Sequence, residues 1–255
     1  MSKPRKSVAR QTRRDDRARV RNDSKLIASA DRSIPAQPTA ARKEPAVPKT
    51  PGQKRYDAGF KSSDIVFGLG PAGTGKTWFA IQRAAEALKA KTIKKIYVTR
   101  PAIEVGEGMG FLPGELDEKF APYLIPVKEA FVEALGAGFY EYCLKAGIIE
   151  PVPLAFIRGR TLKDAWVIAD EMQNATKAEF KAFLTRIGEN AKFVINGDVT
   201  QTDEKIGRNS GLMDAVDRIG NHSQVTVVTF TRAEIVRSGL CQDIVEAYEE
   251  GFGRF

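Results

Sequence analysis

The sequence predicts an α/β fold in which a mostly parallel sheet is flanked by helices, and three features of the chain predict it. Short apolar runs alternate with helical patterns along most of the chain. A glycine-rich turn at residues 70–77 follows the first of these runs, Ile65-Val66-Phe67. A second apolar run, at residues 165–169, ends in the adjacent carboxylates Asp170 and Glu171. Because ligands of open parallel sheets bind outside the carboxyl ends of the strands, we expect both polar groups to lie there.

The glycine-rich turn has the pattern G-x-x-x-x-G-K-[ST], which is typical of a phosphate-binding loop. Its backbone N–H groups can converge on a triphosphate, and the helix predicted at 78–88 adds its positive end. Lys76 can meet the outer phosphates, and the Thr77 hydroxyl can bind Mg²⁺. We therefore expect a nucleotide site formed by Gly70, Pro71, Ala72, Gly73, Thr74, Gly75, Lys76 and Thr77.

The two carboxylates after the 165–169 run form a Walker B pattern. Asp170 is expected to hold Mg²⁺ through its water shell. Glu171 is expected to polarise the attacking water, a role that separates hydrolases from many P-loop kinases. Together with the phosphate-binding loop, this pattern predicts a hydrolytic site.

Further polar residues lie beside the predicted strands. Gln53 is upstream of the first strand, where its amide can pair with an adenine edge. Arg100 ends the strand predicted at 94–99, and it either contacts phosphate or nucleic acid or pairs with a nearby glutamate. Gln201 follows the strand predicted at 191–195 and can sense the γ-phosphate or position water.

Several arginines are candidates for contacts with a γ-phosphate or with nucleic acid. Arg186 lies near the end of the helix predicted at 177–187, as either a helix-end charge or an arginine finger for a neighbouring subunit. Arg208 and Arg237 are the other candidates for the finger. Arg158 and Arg160, which follow a short strand predicted within 151–162, are candidates for contacts with nucleic acid. For Arg208 and Arg237 the alternative is ordinary surface charge.

The remaining patterns fill in the rest of the α/β fold. Residues 104–150 form a helical insert punctuated by glycine and proline, with an amphipathic segment at 126–135. A helix is predicted at 212–219, a strand at 225–230 and a final helix through 244–248.

The positive charge of the chain is concentrated at its start. Residues 1–55 hold 16 Lys or Arg and 5 Asp or Glu, and almost no large apolar residues. Such a composition cannot bury enough surface to fold alone, so residues 1–48 are predicted to be a disordered basic tail and proline-rich linker before an ATPase domain at 49–255. The tail is either an arm that binds the phosphates of a nucleic acid or a solubilising segment.

Composition also excludes several classes of protein. No apolar run of about eighteen residues occurs, and no apolar segment of a secretory signal is present at the N-terminus, so we expect no membrane span and a cytoplasmic location. Cys143 and Cys241 have no C-x-x-C spacing, and His222 is the single histidine. Zinc and histidine-base chemistry are therefore poorly supplied.

Seven short motifs together closely resemble the PhoH family of ATPases. They are Phe67–Thr77, Thr99–Ala102, Gly110–Gly114, Arg158–Leu162, Asp170–Asn174, Phe183–Gly188 and Gly197–Gln201. The resemblance covers residues 50–250 and implies a RecA-like P-loop NTPase, similar to the first motor core of superfamily-one helicases. It also implies that the protein binds and hydrolyses ATP with a role on RNA or DNA, and that Gln53 contacts adenine and Gln201 the γ-phosphate. Met172, Asn196 and Arg237-Ser238-Gly239 depart from the family pattern.

Such motors close their ATP site between two domains, whereas this chain has room for one. We therefore expect a homo-oligomer, a hexamer, in which Arg186, Arg208 or Arg237 of a neighbour completes each site. The first functional hypothesis is an Mg²⁺-dependent, helicase-like ATPase that uses Arg100, Arg158 and Arg160 on RNA or single-stranded DNA. The alternative is an ATP-dependent switch that remodels a protein partner without nucleic acid.

Overall fold

The structure is a computed structural model that describes residues 45–101, 125–204 and 206–236. The described residues form a six-stranded sheet in which every pair of neighbouring strands is parallel. The strands are β1 Ile65–Leu69, β2 Lys95–Thr99, β3 Ile149–Pro151, β4 Ala165–Ala169, β5 Ala191–Gly197 and β6 Val225–Thr229, in the spatial order β3-β2-β4-β5-β1-β6. The predicted α/β fold with a parallel sheet is therefore confirmed.

Helices flank the sheet between most of the strands. They are α1 Pro51–Ser62, α2 Lys76–Lys89, α3 Ile125–Leu135, α4 Ala137–Lys145, α5 Lys177–Leu184 and α6 Gly211–Ile219. Short 3₁₀ helices occupy Leu154–Ile157, Met172–Asn174, Val199–Gln201, Gly207–Asn209 and Arg232–Glu234. No helix within the described ranges is both long and apolar enough to cross a membrane.

Burial explains why the strands appear in the sequence as continuous apolar runs. All five residues of β4 are buried, because helices cover both faces of a parallel sheet. Phe67, Val167 and Phe193 of adjacent strands pack on one face with Phe180 and Phe183 of α5. Helix α5 begins with a capping box in which the Thr176 and Glu179 side chains each bond the other's backbone N–H.

The parallel arrangement places the carboxyl ends of all six strands at one edge of the sheet. The phosphate-binding loop follows β1, Arg100 follows β2, and Asp170 follows β4. Asp198 follows β5, and Phe230 follows β6. The fold therefore gathers at one edge the polar groups that are scattered along the sequence.

Helix α1 was not predicted, and α4 lies within the predicted helical insert at 104–150 without having been given bounds of its own. Residues 51–62 form α1, which Thr50 caps by accepting a hydrogen bond from the Gln53 N–H at 3.1 Å and which has Pro51 in its first turn. Helix α4 follows the predicted segment at 126–135, which forms most of α3. These helices have few apolar residues or interrupted apolar periodicity, so tertiary packing decides them more than local pattern.

Other predictions differ in their bounds or fall outside the described ranges. The strand predicted within 151–162 is β3 and begins at Ile149, and a 3₁₀ helix follows it at Leu154–Ile157. The final helix at 244–248, Arg237 and Cys241 lie outside the described residues, as do all but residues 45–48 of the predicted tail. Within those four residues, the Ala46 carbonyl accepts a hydrogen bond from Arg83 Nη2 at 2.8 Å.

Candidate nucleotide-binding site

The loop between β1 and α2 has a conformation that its glycines make possible. Gly70, Gly73 and Gly75 have φ angles of 127°, 83° and 81°. A Cβ atom on Gly70 would lie 2.3 Å from the carbonyl oxygen of Phe230, the residue after β6, so there is no room for a side chain at Gly70. Backbone N–H groups at the start of α2 are thereby directed into the turn, where an anion can bind.

The Lys76 side chain crosses the inside of this loop. Its Nζ donates to the carbonyls of Gly70 and Pro71 at 2.7 and 2.8 Å and to Thr74 Oγ1 at 3.3 Å. Burial lowers the pKa of Lys76, while the carboxylates of Asp170, Asp198 and Glu171 oppose that shift. The ammonium therefore lies where phosphate oxygens could replace carbonyl oxygens as its acceptors.

A chain of hydrogen bonds connects four distant parts of the sequence behind the loop. The Tyr56 hydroxyl donates to Asn196 Oδ1, and Asn196 Nδ2 donates to Thr77 Oγ1 at 3.3 Å. Thr77 Oγ1 in turn donates to Asp170 Oδ1 at 2.8 Å. This network fixes the rotamer of Thr77 and brings together the two predicted metal-binding residues.

The Thr77 and Asp170 oxygens fit Mg²⁺, which prefers hard oxygen ligands and binds through one or two carboxylates together with substrate phosphates. Burial and the neighbouring Glu171 carboxylate raise the pKa of Asp170, against the hydrogen bond from Thr77. One Asp198 carboxylate oxygen, Oδ2, is also buried without a hydrogen-bond partner. This region therefore has carboxylate oxygens, one of them without a hydrogen bond, that a divalent cation could bind.

Glu171 is held by two side chains. Its backbone adopts the left-handed conformation, with φ 53° and ψ 35°, which is uncommon for a residue other than glycine. Gln173 Nε2 donates to Glu171 Oε2 at 2.6 Å, and Arg100 Nη2 lies 3.8 Å from Oε1. The side chain is about one-third exposed, so water can reach the carboxylate.

Gln53 braces the apex of the loop. Its Nε2 donates to the Thr74 carbonyl at 3.0 Å, and its Oε1 accepts from the Lys49 N–H at 2.8 Å. The side chain is buried, and its amide retains one N–H and one lone pair for a further ligand. Because adenine offers a donor and an acceptor on one edge, the predicted adenine contact is compatible with this geometry.

The segment after β6 holds the other side of the same loop. The Val236 N–H donates to the Gly73 carbonyl at 2.9 Å. The buried Glu234 carboxylate accepts from the backbone N–H groups of Gly52 and Thr231. Burial raises the pKa of Glu234, but these hydrogen bonds outweigh it and the net shift is downward. Glu234 therefore joins α1 to the segment that contacts the phosphate-binding loop.

The predicted arginines do not all lie near this site. Arg100 and Arg208 lie at the carboxyl edge of the sheet, and Arg208 is exposed. Arg158 is exposed, whereas Arg160 Nη1 pairs with Glu150 at 2.6 Å. The Arg186 carbonyl accepts from the Leu162 N–H before β4, which places Arg186 at the opposite edge.

Gln201 lies in the 3₁₀ helix Val199–Gln201 at the carboxyl end of β5, and its residue is exposed. Its N–H donates to the Asp198 carbonyl at 3.0 Å. The residues that sequence reasoning missed are Tyr56, Gln173, Asn196 and Glu234. A local signal existed for two of them, since Gln173 follows the Walker B carboxylates and Asn196 ends an apolar run.

A parallel sheet whose first strand leads into this loop, with a threonine bonded to a carboxylate at the end of another strand, defines a P-loop nucleotide-binding protein of the ATPase type. The model of the family described as "PhoH-like protein" matches residues 46–249. The chain therefore belongs to the PhoH family, as its motifs predicted.

Similar proteins occur in several bacteria. A PhoH-like protein of Bacillus subtilis is 49% identical over 79% of this chain, and Protein PhoH of Escherichia coli K12 is 40% identical over 96%. This chain covers 63% and 72% of their respective lengths. A Sulfolobus solfataricus SWI2/SNF2 ATPase core in complex with dsDNA matches 76% of this chain and 48% of its own, at 14% identity and a TM-score of 0.40. That likeness is too weak to bear on function.

Proposed function

We propose that this protein hydrolyses ATP with Mg²⁺ and that RNA or single-stranded DNA stimulates the hydrolysis. The observation that carries the proposal is the 2.8 Å hydrogen bond between Thr77 Oγ1 and Asp170 Oδ1, with Glu171 next in the chain. It supports a metal-binding pair and a candidate base at one edge of the sheet, beside a phosphate-binding loop.

Each residue has a distinct role in this proposal. Lys76 binds the outer phosphates, and Thr77 and Asp170 hold Mg²⁺, which would neutralise charge on the phosphates. Glu171 orients the attacking water and accepts its proton. Gln201, by the family resemblance, contacts the γ-phosphate. Gln53 favours adenine, since guanine presents two acceptors where adenine presents a donor and an acceptor.

The proposed nucleic-acid contacts rest on charge and position. Arg100 lies within 3.8 Å of Glu171, so a phosphodiester bound by Arg100 would lie beside the base. Arg158 is exposed and follows the 3₁₀ helix whose first residue, Leu154, donates its N–H to the Arg100 carbonyl at 3.2 Å. Arg160 contributes less, because Glu150 neutralises it. The basic residues before position 55 would add contacts independent of sequence.

The position of Arg186 supports the proposal that a neighbouring subunit completes the site. Arg186 lies at the opposite edge of its own sheet, away from its own phosphate-binding loop, so in this proposal it contacts the phosphates of another subunit. A ring of six such subunits would give every site an arginine from its neighbour. Arg208 and Arg237 are the other candidates for this role.

The test measures ATP turnover by the full chain with and without poly(U) or single-stranded DNA at two salt concentrations. We expect stimulation that weakens as salt rises, because phosphate contacts release counterions. The Glu171→Gln variant should lose about 10²–10⁴-fold in turnover and still bind ATP. Absence of stimulation by either nucleic acid would refute the motor and favour the ATP-dependent switch.

Oligomerisation is tested by mixing subunits. Sedimentation with ATP and Mg²⁺ should show a hexamer. Arg186→Ala subunits should be inactive alone, and Glu171→Gln subunits likewise. Mixed oligomers should recover partial turnover, because the Arg186→Ala subunit keeps its base and receives an intact arginine. A monomer with full activity would contradict the shared site.

A further inference from the structure

Gln173 joins the candidate base to the turn after β5. Its Nε2 donates to Glu171 Oε2 at 2.6 Å, and its Oε1 accepts from the Asp198 N–H at 3.1 Å. Gln173 is 1% exposed, so no solvent competes for either contact. Its own backbone is also held, because the Ser210 hydroxyl donates to its carbonyl at 2.7 Å.

The two ends of this amide contact different parts of the site. One end holds the oxygen of Glu171 that faces away from Arg100, whose Nη2 lies 3.8 Å from the other oxygen, Oε1. The other end holds the first residue after β5, and the Gln201 N–H then donates to the carbonyl of that same residue at 3.0 Å. A movement of the turn at 198–201 would therefore be transmitted to the Glu171 carboxylate through one buried side chain.

Orientation matters at Glu171 because its side chain is partly exposed and has several rotatable bonds. Because its backbone is left-handed, the Glu171 side chain leaves the main chain in a different direction from that of a residue with extended backbone. Without a partner, the carboxylate could occupy several rotamers, and a misplaced base loses most of its effect. A short hydrogen bond from a buried amide removes that freedom.

We propose that Gln173 is a positioning residue that holds the Glu171 carboxylate in a fixed position relative to the turn that carries Gln201. The proposal rests on the proposed role of Glu171 as the base. In this proposal Gln173 contacts neither the attacking water nor the phosphates, and it affects turnover through Glu171 alone. Contact between the γ-phosphate and the turn would then align the base, so that hydrolysis begins when the triphosphate is fully bound.

The central variant is Gln173→Glu, which has nearly the same shape. It keeps an oxygen to accept from the Asp198 N–H, and in its ionised form it replaces the donor to Glu171 with an acceptor. We expect kcat for ATP to fall by about 10²-fold, with KM and the Kd of a fluorescent ATP analogue within about twofold of wild type. Gln173→Met, which removes both hydrogen bonds, should show the same split.

Asn174→Asp is the matched control. Asn174 is also buried, and its Oδ1 accepts from the Asp203 N–H at 2.9 Å without contacting the Glu171 side chain. This variant makes the same change from amide to carboxylate one residue away and also keeps its acceptor. We expect its thermal unfolding to shift about as much as that of Gln173→Glu, while kcat remains near wild type.

A double-variant cycle separates positioning from a structural role. In the Glu171→Gln background, Gln173→Met should cause no further loss of kcat. A further loss there, an equal loss in Asn174→Asp, or wild-type turnover in Gln173→Met would overturn the proposal. Full activity of Glu171→Gln alone would instead refute the proposed function, so the two failures are distinguishable.

Discussion

The two ends of the parallel sheet use polar residues in opposite ways. At the carboxyl end, buried and partly buried polar groups from distant segments bond one another, as in the path from Tyr56 through Asn196 and Thr77 to Asp170. At the amino end, Lys94 pairs with Asp164 at 2.8 Å and Asn190 joins the same carboxylate, but the Lys94 side chain is 81% exposed.

This difference determines what each end can contribute. A buried polar group is costly unless it is hydrogen-bonded, so the carboxyl end keeps its arrangement only while every partner is present. An exposed ion pair is screened by water and salt and adds little to stability. We therefore expect substitutions at the carboxyl end to change activity and stability strongly, and substitutions in the exposed Lys94 and Asp164 pair at the amino end to change neither.

The largest effect is expected for Lys76→Ala. The change removes the cation that the loop presents to the phosphates, and turnover should fall by at least about 10²–10³-fold with weakened ATP binding. Steady-state ATPase rates and titration with a fluorescent ATP analogue measure both. Lys89→Ala, at the far end of the same helix, is the control, and its turnover should match wild type. Comparable losses in the two variants would mean that the helix rather than the loop was damaged.

Asn196→Ala should have the next largest effect. It leaves the buried Tyr56 hydroxyl without its acceptor and removes a donor to Thr77, so unfolding free energy should fall by about 1–3 kcal/mol. Turnover should fall as well, because Thr77 loses a fixed rotamer. Urea unfolding monitored by fluorescence tests the first effect. Tyr56→Phe removes the hydroxyl that donates to Asn196, so in that background Asn196→Ala leaves no unpaired hydroxyl. The losses of unfolding free energy in the double variant should therefore be less than additive. Full additivity would show that the network is not cooperative.

The stability that Glu234 contributes at the carboxyl end of the sheet should depend on pH. Its pKa in the folded protein lies below the ordinary value of 4.5, so the charged form favours folding. This stability is fully present above about pH 5 and is lost as pH falls through the folded pKa. Urea unfolding should show that Glu234→Gln is less stable than wild type at pH 7 and that the difference shrinks as pH falls below 4.5 and through the folded pKa. A difference that persists unchanged at low pH would show that packing, not charge, is responsible.

The sequence predicted the parts of the site whose residues are adjacent in the chain. The phosphate-binding loop and the Asp170-Glu171 pair are continuous motifs, and the apolar runs beside them predict the strands. The sequence did not predict that the Gln53 amide braces the Thr74 carbonyl or that Glu150 pairs with Arg160. Such contacts depend on the order of strands in the sheet, which places side chains together that are far apart in the chain.

Lys94→Ala should have the smallest effect, and it tests the other half of the comparison. The hydrogen bond and charge of Asp164 raise the pKa of Lys94, yet the ammonium is in water and its partner is reachable by salt. We expect no measurable change in the melting temperature and none in turnover. Raising the ionic strength should not create a difference in melting temperature between variant and wild type. Salt screens the ion pair, and a pair that adds nothing to stability has nothing to lose by screening. A clear loss of stability would mean that the amino end, like the carboxyl end, depends on a specific polar network, and the contrast between the two ends would then fail.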